Sequence, residues 1–405
     1  MNTPAASRPG LPEFVALIGM MFATVAFSID SMLPAMNEIA AELTPTAPNR
    51  AQLIVTSFVL GMGLGTLFTG PLSDTFGRKP VILGGAAVYI VGAVLAWAAS
   101  SLELVLAARV LQGLGAAGPR IAALAIVRDL FMGREMAKVM SFAMIVFTLV
   151  PAIAPLAGAG IIWLTGWRGI FMAFILFSLI SSAWLGLRQP ETLAAEHRRA
   201  FRAKTITAGI AEVFAIRRVA LVIAVLSLTF GVLFTMISTT QQVFDQTFGR
   251  AAGFPYWFGA IALMSGAASL LNARIVERVG MRRVIVITFS AEVGLSAAIT
   301  LGISTGLLTG AAYFPAYLIW LLSVFFMAGL TIGNLNALGM EPLGHLAGLG
   351  ASIIGSVATV AAVFIAIPIG FAFDGTPLPL AIGVLVCSVL GLGLTRMIED
   401  VPQPA

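Results

Sequence analysis

Three charged side chains stand where charge is expensive. Asp30, Arg109 and Arg120 each lie inside an apolar run long enough to cross a bilayer. A charge at the bilayer centre costs between about 2.5 and about 17 kcal/mol, depending on the method. Such a group has to face protein or water, and it needs a partner or a change of protonation. Asp30 lies about 16 residues into its run and Arg109 about seven into a run of opposite direction, so at about 1.5 Å per residue both fall in the outer half of the membrane. A carboxyl withdrawn from water changes charge as its water access and its distance to an arginine change. The chemistry on offer is proton binding and release at Asp30, tuned by Arg109. The bland alternative is a static pair that orients two helices.

Further candidates flank this pair. Arg109, Gln112, Gly113, Ala116 and Arg120 recur on one helical face, which predicts a wall of a wet cavity. Arg120 lies about 16 Å deeper than Arg109 along that helix. It either binds an anionic group of a substrate or serves a gate near Asp74 and Asp129. Ser227, Phe230, Phe234, Ser238 and Gln241 form a second stripe, and an aromatic lining with neutral polar groups suits an amphiphilic substrate. Aromatic packing with incidental polar groups is the other reading. Asn334 and Asn336, with Met327 before them, are weaker candidates. Glu292 sits mid-run, as a second proton site or a local structural partner. Pro151, Pro155 and Gly158 predict a bend or packing hinge in one run, since two prolines four apart remove two helical hydrogen bonds.

The densest punctuation is Gly70-Pro71-Leu72-Ser73-Asp74-Thr75-Phe76-Gly77-Arg78-Lys79-Pro80. Its glycines and prolines argue against one continuous helix, and its acid and basic residues are close enough to pair. Glu277-Arg278-Val279-Gly280-Met281-Arg282-Arg283 echoes it about 203 residues later, half a chain away. One module used twice is the expectation.

These residues need a membrane scaffold. Of 405 residues 59% are hydrophobic and 10% charged, against about 25% charged in a soluble domain. Twelve apolar runs of spanning length are expected, near 14–36, 53–72, 81–99, 102–126, 137–162, 168–187, 218–242, 254–273, 284–303, 314–337, 347–371 and 376–396. With the N-terminus inside, the inner segments hold 18 Lys and Arg and the outer loops 3, which predicts both termini in the cytoplasm. The polar, basic stretch 188–217 divides six runs from six, giving bundles 1–187 and 218–405 joined by a cytoplasmic linker with some surface helix. Its arginines suit a solvated tether near anionic lipid.

Several functions are disfavoured. The single Cys387 excludes a disulfide or thiolate cluster within the chain, and His197 and His345 are too far apart to suggest a metal site. No glycine-rich loop with Lys-Ser/Thr points to ATP, so no cofactor is expected beyond the proton gradient. No catalytic constellation stands out, so an enzyme is not expected. Basic residues confined to short loops between apolar runs speak for membrane orientation and against nucleic acid.

Gly70 to Pro80 resembles the loop between spans two and three of the major facilitator superfamily. Arg109-Val110-Leu111-Gln112-Gly113 resembles the span-four motif whose arginine is linked to proton coupling. Ser28-Ile29-Asp30-Ser31-Met32-Leu33-Pro34-Ala35-Met36 is similar to the first span of its Bcr/CflA-type drug:proton antiporters, and Ala154-Pro155-Leu156-Ala157-Gly158 to the antiporter motif of span five. Gly166-Trp167-Arg168 and Gly344-His345-Leu346-Ala347-Gly348 also fit. The resemblance implies an all-α polytopic membrane protein with the major facilitator fold, twelve helices in two six-helix bundles, rocking between inward- and outward-facing states. It also implies that Asp74 and Arg78, with Gly70, Gly77, Lys79 and Asp129 around them, latch the cytoplasmic side.

The expectation is a proton-coupled exporter of small amphiphilic drugs or toxins in a bacterial inner membrane, acting as a monomer. Asp30 and Arg109 couple protons, and Gln112, Arg120, Phe230, Phe234, Ser238, Gln241 and Asn334 meet substrate. A proton-coupled carrier of one endogenous, anionic metabolite is the alternative.

Overall fold

A computed structural model describes residues 9–198 and 200–399. The side chains of Ala137, Ala143, Met144, Phe147, Thr148, Ala203 and His345 lie outside the description, as do Arg8 and Arg199 from the charge count. Among the described residues twelve long helices follow in order: α1 (Leu11–Asp30), α2 (Leu53–Phe76), α3 (Arg78–Ala98), α4 (Leu102–Leu130), α5 (Gly133–Thr165), α6 (Gly169–Arg188), α7 (Arg217–Gln242), α8 (Phe254–Val279), α9 (Met281–Ser304), α10 (Tyr313–Met340), α11 (Ala347–Phe371) and α12 (Leu378–Arg396). Eleven qualify in length and apolarity to cross a membrane; in α5 the described apolar run is the shorter Leu149–Thr165. No strand occurs among the described residues.

The chain divides into two compact units. One holds the residues up to Thr44 with Ser57–Ala203; the other holds Pro45–Thr56 and the chain from Lys204 on. Each contains six of the long helices, and the first turn of α2, with the 3₁₀ turn Pro48–Gln52 before it, counts with the second unit. There Asn49 donates to the Phe373 carbonyl at 2.7 Å, Gln52 to Gln242 Oε1 at 2.7 Å, and Gln242 to Asn49 Oδ1 at 2.9 Å. Within 188–217 a short helix spans Ala203–Ala215.

In the first unit α4 is the pivot, and small residues make it so. A Cβ on Gly113 would stand 2.0 Å from the Phe58 carbonyl oxygen of α2, and one on Gly61 of α2 would stand 2.0 Å from that of Val110. On another side a Cβ on Gly115 would meet Tyr89 N of α3 at 2.3 Å. The backbones therefore touch, as small-residue faces permit in a medium that offers no hydrophobic drive between helices. This corrects the wet-wall expectation: Gly113 and Ala116 on the Arg109 stripe are buried packing positions.

The charged punctuation is tighter than expected. Gly70 and Pro71 lie inside α2, and the break is the single residue Gly77, at φ 104°. Pro71 removes only one ladder bond, and Pro80 falls in the first turn of α3, where its missing N–H is not needed. The echo has the same build: α8 ends at Val279, Gly280 has φ 85°, and α9 begins at Met281. Only glycine enters this left-handed region without strain.

Candidate functional site

Asp30 is the last residue of α1, where the regular ladder stops. Pro34 is the cause. It offers no N–H to the Asp30 carbonyl four residues back, and its ring crowds that oxygen. The chain goes on as 3₁₀ turns over Leu33–Ala35, with Met32 N bonded to the Ile29 carbonyl, before the short helix Met36–Leu43. Asp30 is 5% exposed, and among the described residues its carboxyl meets no hydrogen-bond donor or cation.

Arg109 is fully buried, and its guanidinium is anchored on α1 all the same. It donates to the Ser28 carbonyl at 2.9 Å and to Gln112 Oε1 at 2.7 Å, and lies 4.4 Å from the Phe58 ring centre. The Ser28 hydroxyl lies 2.6 Å from Tyr89 OH and donates to the Thr24 carbonyl at 2.5 Å. Ser28 has one proton to give, so Tyr89 donates to Ser28. The structure thus joins Arg109 and Gln112 to α1 at Ser28, two residues before Asp30, with no ion pair between Asp30 and Arg109. Gln112 is committed to Arg109 on one side, while its Nε2 has no partner among the described residues.

Span five reaches the same place. Pro151 and Pro155 lie inside one unbroken helix, α5, and a Cβ on Gly158 would stand 2.1 Å from the Ser31 carbonyl oxygen. Gly158 lets α5 touch α1 one residue past Asp30. The expected hinge is, in this structure, a close-approach point.

Arg120 is half-buried and stays out of the Asp74 cluster; its Nη1 lies 3.8 Å from Met62 Sδ. In the second unit Phe230 and Phe234 stack with centroids 5.8 Å apart. Ser227 and Ser238 donate to carbonyls of their own helix, while Gln241 Oε1 is buried without a partner among the described residues. Asn334 is committed elsewhere, donating to Asn272 Oδ1 of α8 at 2.7 Å. Asn336 likewise donates to its own helix, at the Ile332 carbonyl.

At the other end of the first unit Arg78 holds two acids. Its Nη1 meets Asp74 Oδ1 at 2.5 Å and its Nε meets Asp129 Oδ2 at 3.0 Å. The Glu191 carboxylate accepts from the backbone N–H of Arg78 and Lys79, both at 3.0 Å, and so caps α3. Thr192 donates to Asp129 at 2.8 Å. Lys79 enters through its backbone, and Gly70 lies further back in α2.

Residues 15–366 match the family profile of the Major Facilitator Superfamily. The chain belongs to that family. Among curated proteins it is 31% identical to a bicyclomycin resistance protein homolog of Haemophilus influenzae, over 85% of each chain. It is 28% identical to the multidrug resistance protein MdtL of Escherichia coli, over 81% of this chain and 80% of that one. The solved D-xylose-proton symporter superposes with a TM-score of 0.74 at 12% identity, covering 94% of this chain and 96% of that one, which bears on the fold alone. The fold and family expectations hold, and this facilitator is a multi-pass membrane transporter, not an enzyme.

Sequence reasoning about this facilitator missed four residues. Glu191 lay in a stretch read as tether, although an acid just past a helix end is the residue type that caps a neighbour. Asn272 is a lone amide in an apolar run, with no local sign of its partner. Tyr89 carried no spacing signal. Pro34, four residues after Asp30, was a visible cue for a helix break at the carboxyl.

Proposed function

We propose that this facilitator is a proton-driven exporter of small amphiphilic drugs, working by alternating access in a bacterial inner membrane with both termini in the cytoplasm. The observation that carries the reading is Asp30: a carboxyl 5% exposed, at a helix break, with no cation on it among the described residues and with Arg109 bonded to the main chain two residues earlier. An ionised carboxylate without a counter-charge is costly there, and protonation relieves that cost. Substrate and proton alternately satisfy this region, and the change of charge biases the carrier between its two states. The names of the relatives from Haemophilus influenzae and Escherichia coli support a drug substrate. One proton moving down about 100 mV releases about 2.3 kcal/mol, enough for roughly a 50-fold gradient of a neutral solute. Phe230 and Phe234 suit the apolar part of such a substrate, and Gln112, Ser238 and Gln241 its polar part. The Arg78–Asp74–Asp129 cluster, with Gly77 and Lys79, serves as the cytoplasmic latch.

A second reading has one observation in its favour. Arg120 is a cation in a membrane span with no acid bound to it among the described residues. That suits an anionic metabolite, or the carbonyl-rich end of a drug. Drug-sensitive cells expressing the protein, challenged with a drug panel and then assayed as vesicles under an imposed pH gradient, separate the two. Resistance with outward, proton-driven flux supports the exporter; inward flux of an anion with no resistance supports the second reading.

A further inference from the structure

Glu292 is a buried acid that the transport reading leaves unused. It lies midway along α9, eleven residues after Met281 and twelve before Ser304, which at about 1.5 Å per residue is some 17 Å from either end. It is 2% exposed. Its Oε1 accepts from Ser296 Oγ at 2.8 Å, and Ser296 Oγ accepts from Trp320 Nε1 of α10 at 2.9 Å. Ser296 and Trp320 are buried too. A line of donors thus runs from α10 into the carboxyl on α9.

No positive charge lies at that depth on the helices packed against α9, which are α10, α12 and α8. The α10 sequence has no Asp, Glu, Lys or Arg, and the only such residue of α12 is its last, Arg396. The charges of α8 are Arg274, Glu277 and Arg278, in its final two turns beside Gly280. Those of α9 itself, Arg282 and Arg283, are nine or ten residues from Glu292, and Arg282 donates to the Thr395 and Arg396 carbonyls. The remaining titratable groups on these helices are Tyr256, Tyr313, Tyr317 and Cys387, none of them a cation. Ionised, Glu292 would be a mid-membrane charge with the Ser296 and Ser323 hydroxyls and the Trp320 indole beside it but no cation on these helices to balance it.

We propose that Glu292 is a second proton-binding site, distinct from Asp30, whose proton stays in place through the transport cycle. The neutral acid fastens α9 to α10 through Ser296 and Trp320. The Ser296 hydroxyl and the Trp320 indole that supply the bond are themselves buried. This holds whatever substrate the carrier moves and whether or not Asp30 couples protons.

Infrared difference spectroscopy of the full-length protein in lipid vesicles tests it, comparing wild type with Glu292→Gln. A protonated-carboxyl carbonyl band absent from the variant is expected, constant in amplitude from about pH 5 to about pH 9. Glu292→Gln, a neutral isostere, is expected to keep the proton-to-substrate ratio and a transport rate within about twofold of wild type. Absence of the band at neutral pH, its loss as pH rises, or a lowered proton count in a folded Glu292→Gln overturns the proposal. Should Glu292→Gln fail to fold, Ser296→Ala replaces it. Removing the Ser296 hydroxyl should shift the carboxyl band to higher frequency without abolishing it, and an unshifted band overturns the proposal.

Discussion

Arg109 donates to the main-chain carbonyl of Ser28 at 2.9 Å and makes no ion pair with Asp30, two residues further on. The guanidinium is therefore placed by backbone, and its position does not depend on the charge of Asp30. Protonating Asp30 leaves Arg109 bonded to Ser28 and Gln112, while ionising Asp30 puts a negative charge in a buried place with no cation on it among the described residues. A direct pair would resist protonation; an indirect one leaves the carboxyl free to change state.

Arg109→Lys tests the anchor. One ammonium cannot bond Ser28 and Gln112 together and also cover the Phe58 ring, as the planar guanidinium does. Each lost charged hydrogen bond is worth roughly 1.5–3 kcal/mol, so efflux should fall at least about tenfold with a lowered melting temperature. Near-normal efflux from the lysine variant would show that the anchor is dispensable.

Tyr89 separates bonding from bulk. Tyr89→Phe deletes the hydroxyl while Ser28 keeps its bond to the Thr24 carbonyl, so a cost of about 0.5–1.5 kcal/mol is expected. Tyr89→Ala should cost about 3–5 kcal/mol through the cavity it leaves. Thermal unfolding in detergent orders the two; equal losses would place the whole role of Tyr89 in its hydroxyl.

Gly158 and Gly160 form a matched pair of substitutions in one helix. A Cβ at 158 would stand 2.1 Å from the Ser31 carbonyl oxygen, whereas nothing lies within 4 Å of one at 160. Gly158→Ala should force α5 away from α1, at a cost of about 1–3 kcal/mol and most of the transport. Gly160→Ala should be neutral or stabilising by up to about 1 kcal/mol. Similar melting temperatures for the two would remove the close approach from the explanation.

Residue type made some of this legible and not the rest. The spans could be read because charge is rare and confined between apolar runs, and the Gly77 break because a glycine sits beside paired charges. The Gly280 echo could be read because the same turn needs the same residue. Packing was hidden. Gly113 and Ala116 share a face with Arg109, and a small residue on a helix looks the same whether it faces water or a neighbouring backbone. Partners far apart in sequence were hidden as well. Asn272 and Asn334 are 62 residues apart, and nothing local joins Glu191 to Arg78.

Glu191→Gln tests the cap. Glu191 accepts from the backbone N–H of Arg78, Lys79, Thr192 and Leu193. The amide keeps one acceptor oxygen and loses the charge at the α3 N-terminus, so a cost of about 0.5–2 kcal/mol is expected, with Glu191→Ala higher in that range. Denaturation of the purified protein measures it, and an unchanged stability for Glu191→Ala would deny the cap.

Uphill transport by Asp30→Asn is the most direct measurement. Purified wild type and variant are reconstituted into vesicles, a pH gradient is imposed, and drug accumulation is followed beside downhill drug exchange with no gradient. Wild type should accumulate drug; the variant should exchange it downhill yet build no gradient, because an amide cannot take up the proton. Accumulation by Asp30→Asn equal to that of wild type would contradict proton coupling at this carboxyl.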